Sequence, residues 1–147
     1  MTKISLIVLI LFFGGSSKVR PENYKDIEKL SKKFVSAVKK HNLNACMKCF
    51  DMQYRLQQHD SFLKGNTKQF VEEFLAGEYY SDNGNHDFYV PDFNAITSIK
   101  CNGLDFVDED LCLVVYEIGL RDGGTLISRV HVRYKSKKNM GFVGPMG

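Results

Sequence analysis

LCLVVYEIGLRDGGTLISRVHVRYK, residues 111–135, is the stretch that decides the fold. Two runs rich in β-branched and aromatic residues, Leu111 to Leu120 and Thr125 to Lys135, flank Asp122-Gly123-Gly124, which suits a tight hairpin turn. The second run alternates cleanly: Leu126, Val130, Val132 and Tyr134 fall on one face, and Thr125, Ile127, Arg129, His131, Arg133 and Lys135 on the other. In the first run Cys112, Val114, Tyr116, Ile118 and Leu120 oppose Leu111, Leu113, Val115 and Glu117. Both of its faces are largely apolar, which predicts a strand covered on both sides, one of them by a partner subunit.

Strand signals continue around this hairpin. Ile96 to Cys101 alternates, Asn102-Gly103 marks a turn or bulge, and Asp108-Glu109-Asp110 turns the chain into the long hairpin. After a turn at Ser136 to Asn139, Gly141-Phe142-Val143 makes a short closing strand. Residues 78–94 are the least regular part, with Asp82-Asn83-Gly84-Asn85, one proline and the aromatics Tyr79, Tyr80, Phe88, Tyr89 and Phe93. A loop of this length reads as a lid or rim over a pocket.

The first half reads as helical. Asn23 is the expected cap of a helix whose apolar stripe runs through Ile27, Leu30, Phe34, Ala37, Val38 and His41. Its lysines, 25, 29, 32, 33, 39 and 40, fill the remaining surface and read as a solvated face. Asn44 starts a short second helix, Ala45 to Phe50. Asp51 to Gln58 then alternates Met52, Tyr54 and Leu56 with polar residues, which predicts an extended segment. Asn66 caps a third helix with Gln69 completing the pair, its apolar face being Phe70, Val71, Phe74 and Leu75. Gly77 is the expected C-cap.

A chain of 147 residues with 44% hydrophobic and 25% charged residues suits one domain with a real core and excludes a disordered tail. The 20 basic residues are answered by 17 acidic ones along the whole chain, and no nucleic-acid reading motif is present. Residues 1–17 read as a signal peptide. Lys3 precedes an apolar run from Ile4 to Phe13, too short to cross a bilayer, and Gly14-Gly15-Ser16-Ser17 offers small residues for cleavage after Ser16 or Ser17. The expectation is an exported protein, periplasmic or secreted, with a single domain over residues 18–147 and no stable membrane insertion once the leader is removed.

Export permits disulfides among Cys46, Cys49, Cys101 and Cys112, and sequence cannot choose among their three full pairings. Cys46-Met47-Lys48-Cys49 has redox spacing, but it follows a helix and a short turn rather than a strand. Cys101 and Cys112 are too far apart for the second close pair of a zinc site. Structural cysteines are the expectation.

The order of two helices, a short strand, a capped third helix and a long antiparallel meander resembles the nuclear transport factor 2-like superfamily. Its members include SnoaL-like polyketide cyclases and ketosteroid isomerases. The resemblance spans roughly residues 22–144. It is carried by HNLNA at 41–45, LKGNTKQFVEEF at 63–74, and Gly141-Phe142-Val143, with Phe142 standing where the family often has Trp. It implies an α+β fold in which a curved antiparallel sheet of about four to six strands wraps over three N-terminal helices to form a cone. The open end of such a cone is a natural apolar pocket.

Ketosteroid-isomerase-like members take a carboxylate base from the early strand and acidic or phenolic donors deeper in the cone. Here Asp51 to Gln58 has no carboxylate at its centre, and His59-Asp60 just beyond is the only local substitute. Tyr54 and Tyr116 are the candidate donors. His86-Asp87 lacks a convincing third ligand, so no metal is expected, and no cofactor. His41 reads as a helix-end residue.

The expected protein is therefore a non-catalytic binder. It holds a small apolar or amphipathic ligand in the cone through Tyr54, Phe74 and Tyr116, or a protein partner on its sheet. One alternative is a SnoaL-like isomerase or dehydratase using His59 or Asp60 with Tyr54 and Tyr116. Another is a dimeric interaction module that uses Glu117, Arg129, His131 and Arg133 on the outer sheet face, the side these residues are expected to occupy. Turned inward instead, that row would hold an anionic ligand or pair His131 with Glu117 for acid–base chemistry.

Overall fold

A computed structural model describes residues 21–84 and 86–145; the expected leader, residues 1–17, lies outside them. The long helix α1, Pro21–Lys39, begins two residues before the expected cap, with proline in the first turn where its fixed φ costs nothing. It buries Ile27, Leu30, Phe34, Ala37 and Val38, the stripe its spacing predicts. His41 has φ 51°, and Asn42 rather than Asn44 caps α2, Leu43–Met47, by accepting from the Ala45 amide at 3.0 Å.

Asp51 to Gln58 is not extended. The Asp51 carboxylate caps Tyr54 at 3.1 Å and starts α3, Met52–Tyr54, which runs on as a π-helix over Arg55–Phe62. The alternation there was not a burial signal, because Met52 and Leu56 are 68% and 51% exposed. Helix α4, Thr67–Phe74, is capped by Asn66 onto the Gln69 amide as expected and buries Phe70, Val71 and Phe74.

The sheet follows: β1 Gly77–Tyr80, β2 His86–Tyr89, β3 Ile96–Phe106, β4 Leu111–Leu120, β5 Thr125–Ser136 and β6 Asn139–Pro145. The fold is thus α+β, helices first, then a curved antiparallel sheet of six strands that does not close on itself. Residues 78–94 are more regular than expected, since β1 and β2 form an antiparallel hairpin whose turn is the Asp82–Gly84 region. Gly77 does not cap a helix. It opens β1 so close to β5 that a Cβ would lie 2.1 Å from the Ile127 carbonyl oxygen.

Strand β5 is the spine of the sheet. One side pairs with β4 from Leu111↔Arg133 to Gly119↔Thr125. The other is shared, β1 pairing with Thr125 to Ile127 and β6 with Val130 to Ser136. Strand β6 is itself clamped from outside, where the Asp51 amide donates to the Phe142 carbonyl and the Phe142 amide to the Cys49 carbonyl, both at 2.9 Å.

Helices and sheet bury one continuous core. The alternate residues Cys112 to Leu120 and Leu126 to Tyr134 face it, and Phe34, Phe50, Phe74 and Phe142 meet there edge to face or tilted, with ring centres 4.7 to 6.0 Å apart. Such contacts add to the burial of four large apolar side chains.

Candidate functional site

Because β4 and β5 alternate, every residue not in the core faces out. The outward ladder pairs Leu111 with Arg133, Leu113 with His131, Val115 with Arg129 and Glu117 with Ile127. All eight are partly exposed, where the core-facing partners are buried. The face carries an apolar strip, Leu111, Leu113, Val115 and Ile127, framed by charge. Arg129 reaches Glu78 on β1 at 3.3 Å, and Lys100 on β3 reaches Glu117 at 3.5 Å. These pairs are open to water and contribute little to stability.

Glu117 shares the outward face with the arginine row but not a partnership with it. It accepts from the Asn102 amide at 2.6 Å, and that bond, with Lys100 beside it, holds its carboxyl below the usual range. His131 sits four register positions away, about 13 Å along the strands. The two do not form an acid–base pair. Arg133, at the β6 end, lies 3.8 Å from Asp51.

Tyr54 and Arg133 come together at that end. With Gln53, Gln57, Gln58 and Val143 they line a polar recess of about 330 Å³ between the start of the π-helix and the outer sheet. The Tyr54 ring packs on Phe70 at 5.6 Å, and burial raises its phenol above the ordinary range. Phe74 and Tyr116 lie in the core instead, 1% and 0% exposed. The Tyr116 hydroxyl bonds the Ser31 hydroxyl at 2.9 Å, and desolvation pushes its pKa strongly upward.

The His59-Asp60 pair is built by the π-helix. His59 Nδ1 meets the Asp60 carboxylate at 2.5 Å, and Nε2 meets Thr67 Oγ1 at 3.0 Å at the start of α4. The ring lies edge-on to Phe70 at 5.3 Å, and its side chain is only 13% exposed. Chemically this is an imidazole held between a carboxylate and a hydroxyl. Structurally it bolts the π-helix to α4. Thr67 was not singled out by sequence reasoning, because an eight-residue separation matches no motif until the π-turn sets the spacing.

Cys46, Cys49, Cys101 and Cys112 are free thiols. Burial raises Cys46 to about 12, Cys49 to about 11 and Cys112 to about 12, the opposite of what an attacking thiolate needs. His41 Nε2 donates to the Ile96 carbonyl at 3.1 Å, a helix-end tether. Among the described residues no group of three or more His, Cys, Asp or Glu is placed to hold a metal, and no helix is long and apolar enough to cross a membrane. Comparison with known proteins finds no matching family model, no matching curated protein and no matching solved structure.

Proposed function

We propose that this is an exported, non-catalytic binding protein with the cone shape of the nuclear transport factor 2-like superfamily, and that it works as a pair joined through the outer face of β3, β4 and β5. The observation that carries this reading is the strip of Leu111, Leu113, Val115 and Ile127 on the side of the sheet away from the core. An antiparallel sheet with one wet face normally alternates apolar-in with polar-out. On β4 that rule fails for three consecutive outward positions, as it does where a second surface covers the strand.

A second copy is the occupant that fits. Isologous pairing requires a patch complementary to itself, and this one carries both signs, Arg129, His131 and Arg133 against Glu117 and Glu78. The core interior supports a small-molecule role less well, since the rings of Phe34, Phe50, Phe74 and Phe142 touch one another where a ligand would lie. Catalysis is disfavoured because the nitrogens of His59 and the hydroxyl of Tyr116 are taken up by partners that bind helix to helix and helix to sheet. Export rests on the pattern of residues 1–17.

The test is sedimentation of the chain from Lys18 onward, with Val115→Lys as the variant. The reading expects a dimer that becomes a monomer in the variant with an unchanged melting temperature. A wild-type protein that stays monomeric at high concentration sinks it.

A further inference from the structure

Between α1 and α2 lies a furrow of about 700 Å³, within the size range of small-ligand sites and lined by no residue of the outer sheet. Its walls are basic. Lys29, Lys32 and Lys33 come from α1, Lys40 from the turn just after it, and Lys48 faces them from the end of α2. Its floor is largely apolar, Leu30, Ala37, Ala45 and Cys49, with Leu30, Ala37 and Cys49 buried and Ser36 and Asn42 completing the lining.

Two features set this apart from an ordinary solvated helix face. None of the residues lining the furrow is acidic. Among the described residues none of its five lysines has a carboxylate partner, whereas Lys68 and Lys100 elsewhere both do. Five ammonium groups around one apolar trough, with no carboxylate among the residues that line it, repel one another, and an anion placed among them relieves that repulsion. The long lysine stems also extend the apolar walls upward while their charged ends stay in water.

We infer that the furrow binds a single-chain anionic amphiphile, its alkyl chain lying on Leu30, Ala37, Ala45 and Cys49 and its carboxylate or other anionic head held by the lysines. Ala37 and Ala45 leave the depth an alkyl chain needs; larger side chains there would fill it. The site is independent of the sheet face, so failure of either reading leaves the other standing.

The experiment is amide NMR of the chain from Lys18 onward, titrated with dodecanoate below its micelle concentration. The expected result is saturable shifts centred on Ala37, Ala45 and Cys49 that weaken with added salt. Lys33→Glu with Lys40→Glu should weaken binding about tenfold or more, and Ala45→Leu, at the partly exposed part of the floor, should abolish it while leaving the rest of the spectrum intact. Acetate, an anion without a chain, and dodecyl maltoside, a chain without an anion, should each bind far more weakly. Dodecyl maltoside binding as tightly as dodecanoate, or shifts centred elsewhere, overturns the inference. So does binding only to phosphatidylglycerol vesicles with no response to monomeric dodecanoate, which would assign the lysines to a membrane surface instead.

Discussion

Ser31 of α1 and Tyr116 of β4 are joined hydroxyl to hydroxyl at 2.9 Å, inside the core and 85 residues apart in sequence. Among the described residues each is the other's only side-chain partner, in an apolar setting, so removing one strands the other. Tyr116→Phe should cost about 1–2 kcal/mol in a denaturant titration. Adding Ser31→Ala should recover part of that loss, because no orphaned hydroxyl then remains. Strict additivity of the two would show that the bond contributes nothing.

Ser128 gives the opposite sign. It pairs with Tyr116 across the ladder and is fully buried, and among the described residues its hydroxyl has no partner. It lies where the far edge of β5 passes from β1 to β6. Ser128→Ala removes a desolvated polar atom and leaves every contact of the Cβ in place. It should be neutral or stabilising by up to about 1 kcal/mol, read from the same titration.

Two glycine substitutions separate crowding from backbone strain. A Cβ at Gly77 would sit 2.1 Å from the Ile127 carbonyl oxygen, so Gly77→Ala must push β1 off β5 and should cost about 3 kcal/mol or more. Gly84 has open space around it but a φ of +79°, so Gly84→Ala should cost only about 1 kcal/mol. Thermal melts of the two variants check the ranking.

The thiols should separate by burial. Cys101 is exposed, while Cys46, Cys49 and Cys112 are buried with pKa values pushed up to about 12, about 11 and about 12. Under native, mildly alkaline conditions iodoacetamide should modify Cys101 first and leave the other three until the protein unfolds. Peptide mass mapping reads this directly, and early labelling at Cys49 would count against the packing of α2.

Acid should weaken the fold through specific carboxylates. The Gly124 amide and the Tyr79 hydroxyl hold Asp122 below its ordinary 3.8, and the Asn94 amide and Lys68 do the same for Asp92. A carboxyl lowered in the folded state contributes stability above its unfolded pKa and loses it as pH falls through the folded one. Melting temperature should therefore change little across neutral pH and drop below the ordinary aspartate range. In Asp122→Asn that drop should be shallower.

What the sequence made legible was whatever repeats with the period of its own element. The stripe of α1, the Asn66 cap of α4 and the alternation of β4 and β5 each follow from neighbours a few residues away. Met52, Tyr54 and Leu56 misled because alternation signals a strand only when one set is buried, and here Met52 and Leu56 are out in water. Gly77 looked like a helix stop because it follows one; its reason, the Ile127 carbonyl, is fifty residues on. The outward orientation of Arg129, His131 and Arg133 was readable from the apolar residues opposite them. The lysine-walled furrow was not, since Lys48 faces Lys33 and Lys40 only once α2 folds back beside α1.

Phe142 has a consequence for how the molecule comes into being. Its ring stands among Phe34, Phe50 and Phe74, all contributed by the first half of the chain, and its backbone pins Cys49 and Asp51. A nascent chain that has not yet reached residue 142 has its helices and most of its sheet but an unfilled centre. Closing the core therefore waits on β6: until residue 142 arrives, the rings of Phe34, Phe50 and Phe74 lack the neighbour they share, and early helices are completed by a late strand.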